Sequence, residues 1–111
     1  MVKTLVYESE VIGEIFIADS FKKRFLGFMF RKKPHYESIL IKPCNSIHTY
    51  FMKFPIDVLF VNENMEIVKK IDNLKPGKII IPQKKSKMVI EGRAGMFKNL
   101  HEGKKVIVLS Q

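Results

Sequence analysis

The sequence predicts a mainly β domain, α+β in detail: a single antiparallel, sandwich-like unit or an irregular barrel with one or two short helices. Three observations lead there. The apolar segments are short and rich in β-branched residues, as in Val11-Ile12-Gly13-Glu14-Ile15-Phe16-Ile17 and Val58-Leu59-Phe60-Val61. Turn residues separate them, at Pro34, Pro43, Pro55, Pro76-Gly77, Pro82 and Gly103. Helical spacing is clearest over one stretch, at Phe21, Phe25 and Phe28. Many short strands set off by turn residues favour a sandwich or barrel over alternating strands and helices.

The elements follow in chain order. Val2 to Tyr7 and Val11 to Ile17 read as an N-terminal hairpin turned at Glu8-Ser9-Glu10. Asp19 or Ser20 can cap a helix that runs from about Ser20 to Gly27, with Lys22-Lys23-Arg24 mostly on its wet face. The stripe Phe21, Phe25, Phe28 reads as core, or as a partner-binding face on a peripheral helix. Ser38 to Lys42 is a strand that Pro43 ends, and Ile47 to Phe51 is a further extended candidate. Val58 to Val61 and Ile67 to Ile71 flank Asn62-Glu63-Asn64, a hairpin signal because asparagine tolerates positive φ. Ile79-Ile80-Ile81 and Met88 to Glu91 are short strands. Gly92 to His101 could hold a second helix carrying Met96, Phe97 and Leu100, before a last strand from Lys105 to Leu109.

The 111 residues fit one domain spanning the chain, with enough length to bury a core. A 46% hydrophobic and 28% charged composition excludes a disordered chain. Cys44 is the single cysteine, so no intrachain disulfide can form and nothing argues for an oxidising compartment. No apolar run approaches a membrane span, and the first ten residues lack an export pattern, so a cytoplasmic location is expected. The net charge of +9 raises nucleic acid or an anionic surface as a partner. The basic residues nevertheless fall in short separate clusters, and only three of the 20 are arginine, the residue that reads base edges best. A solvated lysine-rich surface is therefore favoured over a nucleic-acid site. Abundant Lys and Ile with two Gln also fit a protein from a hot environment.

The chemistry concentrates between Cys44 and Asp57, where a thiol, an imidazole, hydroxyls, an amide and a carboxylate crowd together. An extended chain would put Cys44, Ser46, His48, Tyr50 and Met52 on one face. Four strand steps would also hold Cys44 and His48 roughly 13 Å apart. A nucleophile and its base need to be about 3 Å apart. A Cys–His pair therefore forms only if the chain bends near Asn45-Ser46.

This segment, Cys44-Asn45-Ser46-Ile47-His48-Thr49 followed by Met52 and Pro55-Ile56-Asp57-Val58, resembles the DUF192 (UPF0127) family. The resemblance covers most of the chain. Arg24-Phe25-Leu26-Gly27-Phe28-Met29-Phe30-Arg31 is similar to the family's Arg-Gly-Leu-Met-hydrophobic-Arg element. Val89-Ile90-Glu91-Gly92-Arg93-Ala94-Gly95 is similar to its Leu-Glu-x-x-x-Gly element. The resemblance implies a sandwich-like domain with one or two short helices and brings no established activity with it.

Each candidate residue has a structural reading beside a functional one. Cys44 is a nucleophile or metal ligand, or a small buried side chain. His48 is a general base, a ligand contact or a metal ligand, or a histidine fixed by a backbone carbonyl. Asp57 orients His48, or accepts backbone N–H groups and holds a turn. Glu91 faces a pocket, or bonds the backbone from Gly92 to Gly95. A binding module ranks first, taking a small polar ligand or peptide at Ser46, His48, Thr49, Met52, Asp57 and Glu91. A Cys/His enzyme using Cys44, His48 and Asp57 ranks second, and binding to nucleic acid or another anionic surface third. His35, His48 and His101 are too scattered for a metal set, and no phosphate-binding glycine loop occurs, so no metal or cofactor is expected.

Overall fold

The structure is a computed structural model that describes residues 1–18 and 20–111, apart from the side chain of Phe21. The expected hairpin forms from β1 (Val2–Tyr7) and β2 (Glu10–Ala18). Glu8 and Ser9 turn it, both at positive φ (50° and 67°), which matches the twist of the paired strands. Helix α1 (Phe21–Leu26) starts at Ser20, whose Oγ accepts from Lys23 N–H at 3.2 Å. Asp19, the alternative cap, lies outside the described residues. Gly27, at φ 46°, ends the helix and donates its N–H to Lys23 O.

Strand β3 (Ser38–Ile41) is followed by β4 (Ile47–His48), β5 (Ile56–Val61), β6 (Ile67–Leu74) and β7 (Ile79–Ile80). The last two are β8 (Met88–Arg93) and β9 (Ile107–Ser110). The strand order of the main sheet is β6-β5-β8-β3-β2-β1-β9, while β4 and β7 pair separately. The sheet is mixed and open. The strand pairs are antiparallel, as expected, except that β2 with β3 is parallel. The physical reason is α1: it lies in the crossover that a parallel pair requires.

Alternation along the strands creates two core layers. Phe16, Ala18, Ile39, Ile41, Ile56, Val58, Phe60 and Val89 face one side, where Phe28, Met29, Met52 and Leu74 pack with them. Leu5, Tyr7, Ile15, Leu59, Val61, Met88 and Ile90 face the other, under Phe97, Leu100 and Val106. The strict period of two in β5 and β8 fixes which face each polar residue takes.

Three further expectations change. Phe25 is 59% exposed while Phe28 is fully buried, so the aromatic stripe is not one core face. The helix ends before Phe28, and the turn at Gly27 breaks the i, i+7 relation. The span from Gly92 to His101 holds no second helix: Gly92 and Arg93 finish β8, and residues 94–99 form turns. Its Gly95 and Phe97 N–H groups go to the Asp57 carboxylate, at 3.0 Å each, and not to carbonyls four residues back. The extended stretch from Ile47 stops at His48, because Met52 N–H closes a turn onto Thr49 O and Phe51 sits at φ 66°.

Candidate functional site

A cavity of about 180 Å³ lies between the end of α1, the segment around β4, and β8. Each wall follows from the local fold. Arg24 and Leu26 come from the last turn of α1, Gly27 from its C-terminal cap, and Met29 from the loop beyond it. Cys44, Ser46, His48 and Met52 come from the bent segment between β3 and β5. Glu91 rises from β8, on the face shared with Val89. The cavity thus joins the three stretches on which the family resemblance rests.

Glu91 is the unusual member. Its side chain is buried (3% exposed), and its Oε1 has no hydrogen-bond partner among the described residues. Burial raises the carboxyl to about 7 from an ordinary 4.5. An unpaired buried acceptor costs about 1–3 kcal/mol, more when charged, so it is rarely retained without a reason. Gly27 accommodates it: a β-carbon there would stand 3.0 Å from Oε1, and the φ of 46° also favours glycine.

Cys44 is half-buried beside this carboxylate, and its Sγ donates to Ser46 O at 3.0 Å. Burial pushes the thiol above its ordinary value, and the charge of Glu91 adds to the rise. Both effects oppose thiolate formation, the reverse of what an activated cysteine needs. The chain does bend after Cys44, and Cys44 and His48 line the same cavity. Yet Nδ1 of His48 accepts from Tyr50 N–H at 3.3 Å. These bonds direct the thiol and Nδ1 to the backbone.

Asp57 lies on the opposite face of the sheet. Its carboxylate accepts from Asn73 N–H at 2.9 Å, in addition to Gly95 and Phe97. The geometry therefore does not bring Asp57 to Cys44 or His48, and no Cys–His–Asp set assembles. Thr49 is also outside the cavity: its Oγ1 donates to Lys75 O at 2.7 Å and accepts from Lys78 N–H at 2.8 Å. Of the residues expected to bind a ligand, Ser46, His48, Met52 and Glu91 meet, and Cys44 joins them.

The motif reading missed Arg24, Gly27, Met29 and Ile41 as cavity residues. Of the run Lys22-Lys23-Arg24, Lys22 and Lys23 are exposed, in line with a mostly wet face, and Arg24 is half-buried and lines the cavity. The available signal was a glycine directly behind the helical period, near an arginine. Among the described residues, no three His, Cys, Asp or Glu side chains group to hold a metal ion. Among them, too, no helix is long and apolar enough to cross a membrane.

The DUF192 family, described as "Uncharacterized ACR", matches residues 4–108. A UPF0127 protein of Pyrococcus horikoshii is 43% identical over 93 residues, covering 79% of this chain and 79% of the relative. A UPF0127 protein of Pyrococcus furiosus is 41% identical over 96 residues, covering 82% and 81%. These relatives from thermophilic archaea agree with the composition. A crystal structure from Sinorhizobium meliloti, provisionally described as a transcription regulator, superposes with a TM-score of 0.77 at 20% identity, covering 96% of this chain and 92% of that one. A Novosphingobium aromaticivorans protein of unknown function gives a TM-score of 0.77 at 18% identity, covering 96% and 84%. At these identities the two structures share the fold.

Proposed function

The chain belongs to the DUF192 family, and we propose that it is a binding module whose cavity takes a small polar ligand, or a peptide side chain, bearing an N–H or O–H donor. The observation that carries this reading is the unpaired, buried Oε1 of Glu91, on a side chain that lines the cavity. A donor entering there would satisfy it and recover the cost of its burial. The apolar walls, Leu26, Met29, Ile41, Ile47 and Met52, would hold the remainder of the ligand. His48 and Arg24 add polar groups that can fix its orientation. A thiol held protonated favours binding over cysteine chemistry.

The test is amide chemical-shift mapping with three small probes: ethylammonium, acetamide and acetate. The two donor-bearing probes are expected to shift the amides of Gly27, Cys44 and Glu91 in a saturable way, and Glu91→Gln to weaken ethylammonium most. Acetate binding at these residues, or no localised response to any donor, would remove the reading.

A further inference from the structure

The opposite face of the sheet holds a second, larger concavity, of about 550 Å³. Its floor is the parallel pair β2 and β3. Ile17 and Leu40 are register partners there, and both point away from the first core layer. Parallel strands are normally covered on both faces. The turns after β8 cover the far part of this face with Phe97 and Leu100, and they leave Ile17 and Leu40 part-exposed. Met65, from the turn between β5 and β6, walls one side, and Val108 of β9 the other. The result is an apolar trough in the centre of a sheet.

The charges around it share one sign. Lys3, Lys42 and Lys105 line the trough, and no described residue lining it is acidic. The ion pairs among the described residues use other cations, Lys70, Arg93 and Lys104. Lys3 follows from strand alternation, being two residues from Leu5 in β1, and Lys42 comes directly after Ile41, the last residue of β3. Lys105 is placed by its bridge to Glu66, beside the Val106 N–H bond to Met65 O.

We propose that this trough binds an anionic amphiphile: an apolar chain lying over Ile17 and Leu40, with a carboxylate head held by Lys3, Lys42 and Lys105. The site is separate from the Glu91 cavity and of opposite preference, since that cavity is anchored on a carboxylate and this trough on cations. An apolar body fits the floor, and an anion matches three lining lysines with no acid among the described lining residues. A cationic or zwitterionic amphiphile lacks the second match.

The experiment uses the full chain and three probes with one tail: dodecanoate and dodecyltrimethylammonium, each below its micelle concentration, and dodecanol below its solubility limit. Dodecanoate is expected to give saturable amide shifts at Ile17, Leu40 and Val108, and to bind more tightly than the other two. The double variant Lys42→Glu with Lys105→Glu, both exposed positions, should keep the native circular dichroism spectrum and weaken dodecanoate by about tenfold or more. Equal binding of the ammonium compound, or no saturable response to dodecanoate, overturns the proposal. Binding to anionic vesicles without binding of monomeric dodecanoate assigns the face to a membrane surface and also overturns it. So does self-association through this face that dodecanoate does not reverse.

Discussion

Asp57 and Glu91 are both buried carboxylates on adjacent central strands, and in register Asp57 pairs with Gly92, the residue next to Glu91. They face opposite sides of one sheet. Asp57 accepts three backbone N–H bonds and pins the turns after β8 and the end of β6 to the sheet. Glu91 has one oxygen with no partner and faces a cavity. The same side-chain chemistry thus serves as a structural clasp on one face and as an open acceptor on the other. A buried carboxylate is therefore interpretable only through its donors, and burial alone does not mark a site.

The largest expected effect breaks the Asp57 side of this comparison. Asp57→Ala leaves three N–H groups without their acceptor and should lower stability by about 4 kcal/mol in urea unfolding at neutral pH. A loss below about 1 kcal/mol would mean that water replaces the carboxylate easily.

Glu91→Gln should act in the other direction, and only at higher pH. The folded-state value of about 7 lies above the ordinary 4.5, so the native state holds the proton more tightly than the unfolded chain. Its contribution is fully present below about pH 4.5 and is lost as pH rises through about 7. Glu91→Gln removes that loss. Its stability relative to the parent should rise from pH 4.5 to 8, by up to about 3 kcal/mol. A pH-independent difference would show that Glu91 ionises normally in the fold.

Gly27→Ala sharpens the cavity side. A β-carbon at φ 46° and 3.0 Å from Oε1 of Glu91 should cost about 1–2 kcal/mol in thermal or urea unfolding. A neutral result would mean that the loop and the carboxyl shift freely.

The smallest effect concerns Cys44. Alkylation should remain slow until pH exceeds the ordinary thiol range, and Glu91→Gln should speed it by about two- to threefold at pH 8 by removing a nearby negative charge. Rapid alkylation of the parent near pH 7 would restore the enzyme reading.

Periodicity and turn chemistry made most of the fold legible. The β1–β2 and β5–β6 hairpins, the short helix with its Ser20 cap, and β3, β7, β8 and β9 stand close to where the alternation and turn residues put them. The β2–β3 parallel pairing was not legible, because strand direction is set by the crossover and not by the strand's own pattern. The site was half legible. Cys44, Ser46, His48, Met52 and Glu91 could be chosen as polar or soft residues in dense motifs. Their meeting with Arg24 and Gly27 depends on the packing of α1 against the sheet, which local spacing does not encode. For Asp57 and Glu91 the two open readings of each could not be separated from spacing. The backbone donors from Gly92 to Gly95, considered for Glu91, include the Gly95 N–H that Asp57 takes, because residue 57 faces the covering turns and residue 91 does not.

The most direct measurement is a carbon-detected NMR titration of the Glu91 carboxyl, alone and with ethylammonium. The carboxyl should titrate at about 7 alone, and bound ethylammonium should lower that midpoint while acetate leaves it unchanged. A Glu91 midpoint at the ordinary 4.5, unmoved by ethylammonium, would contradict a buried acceptor waiting for a donor.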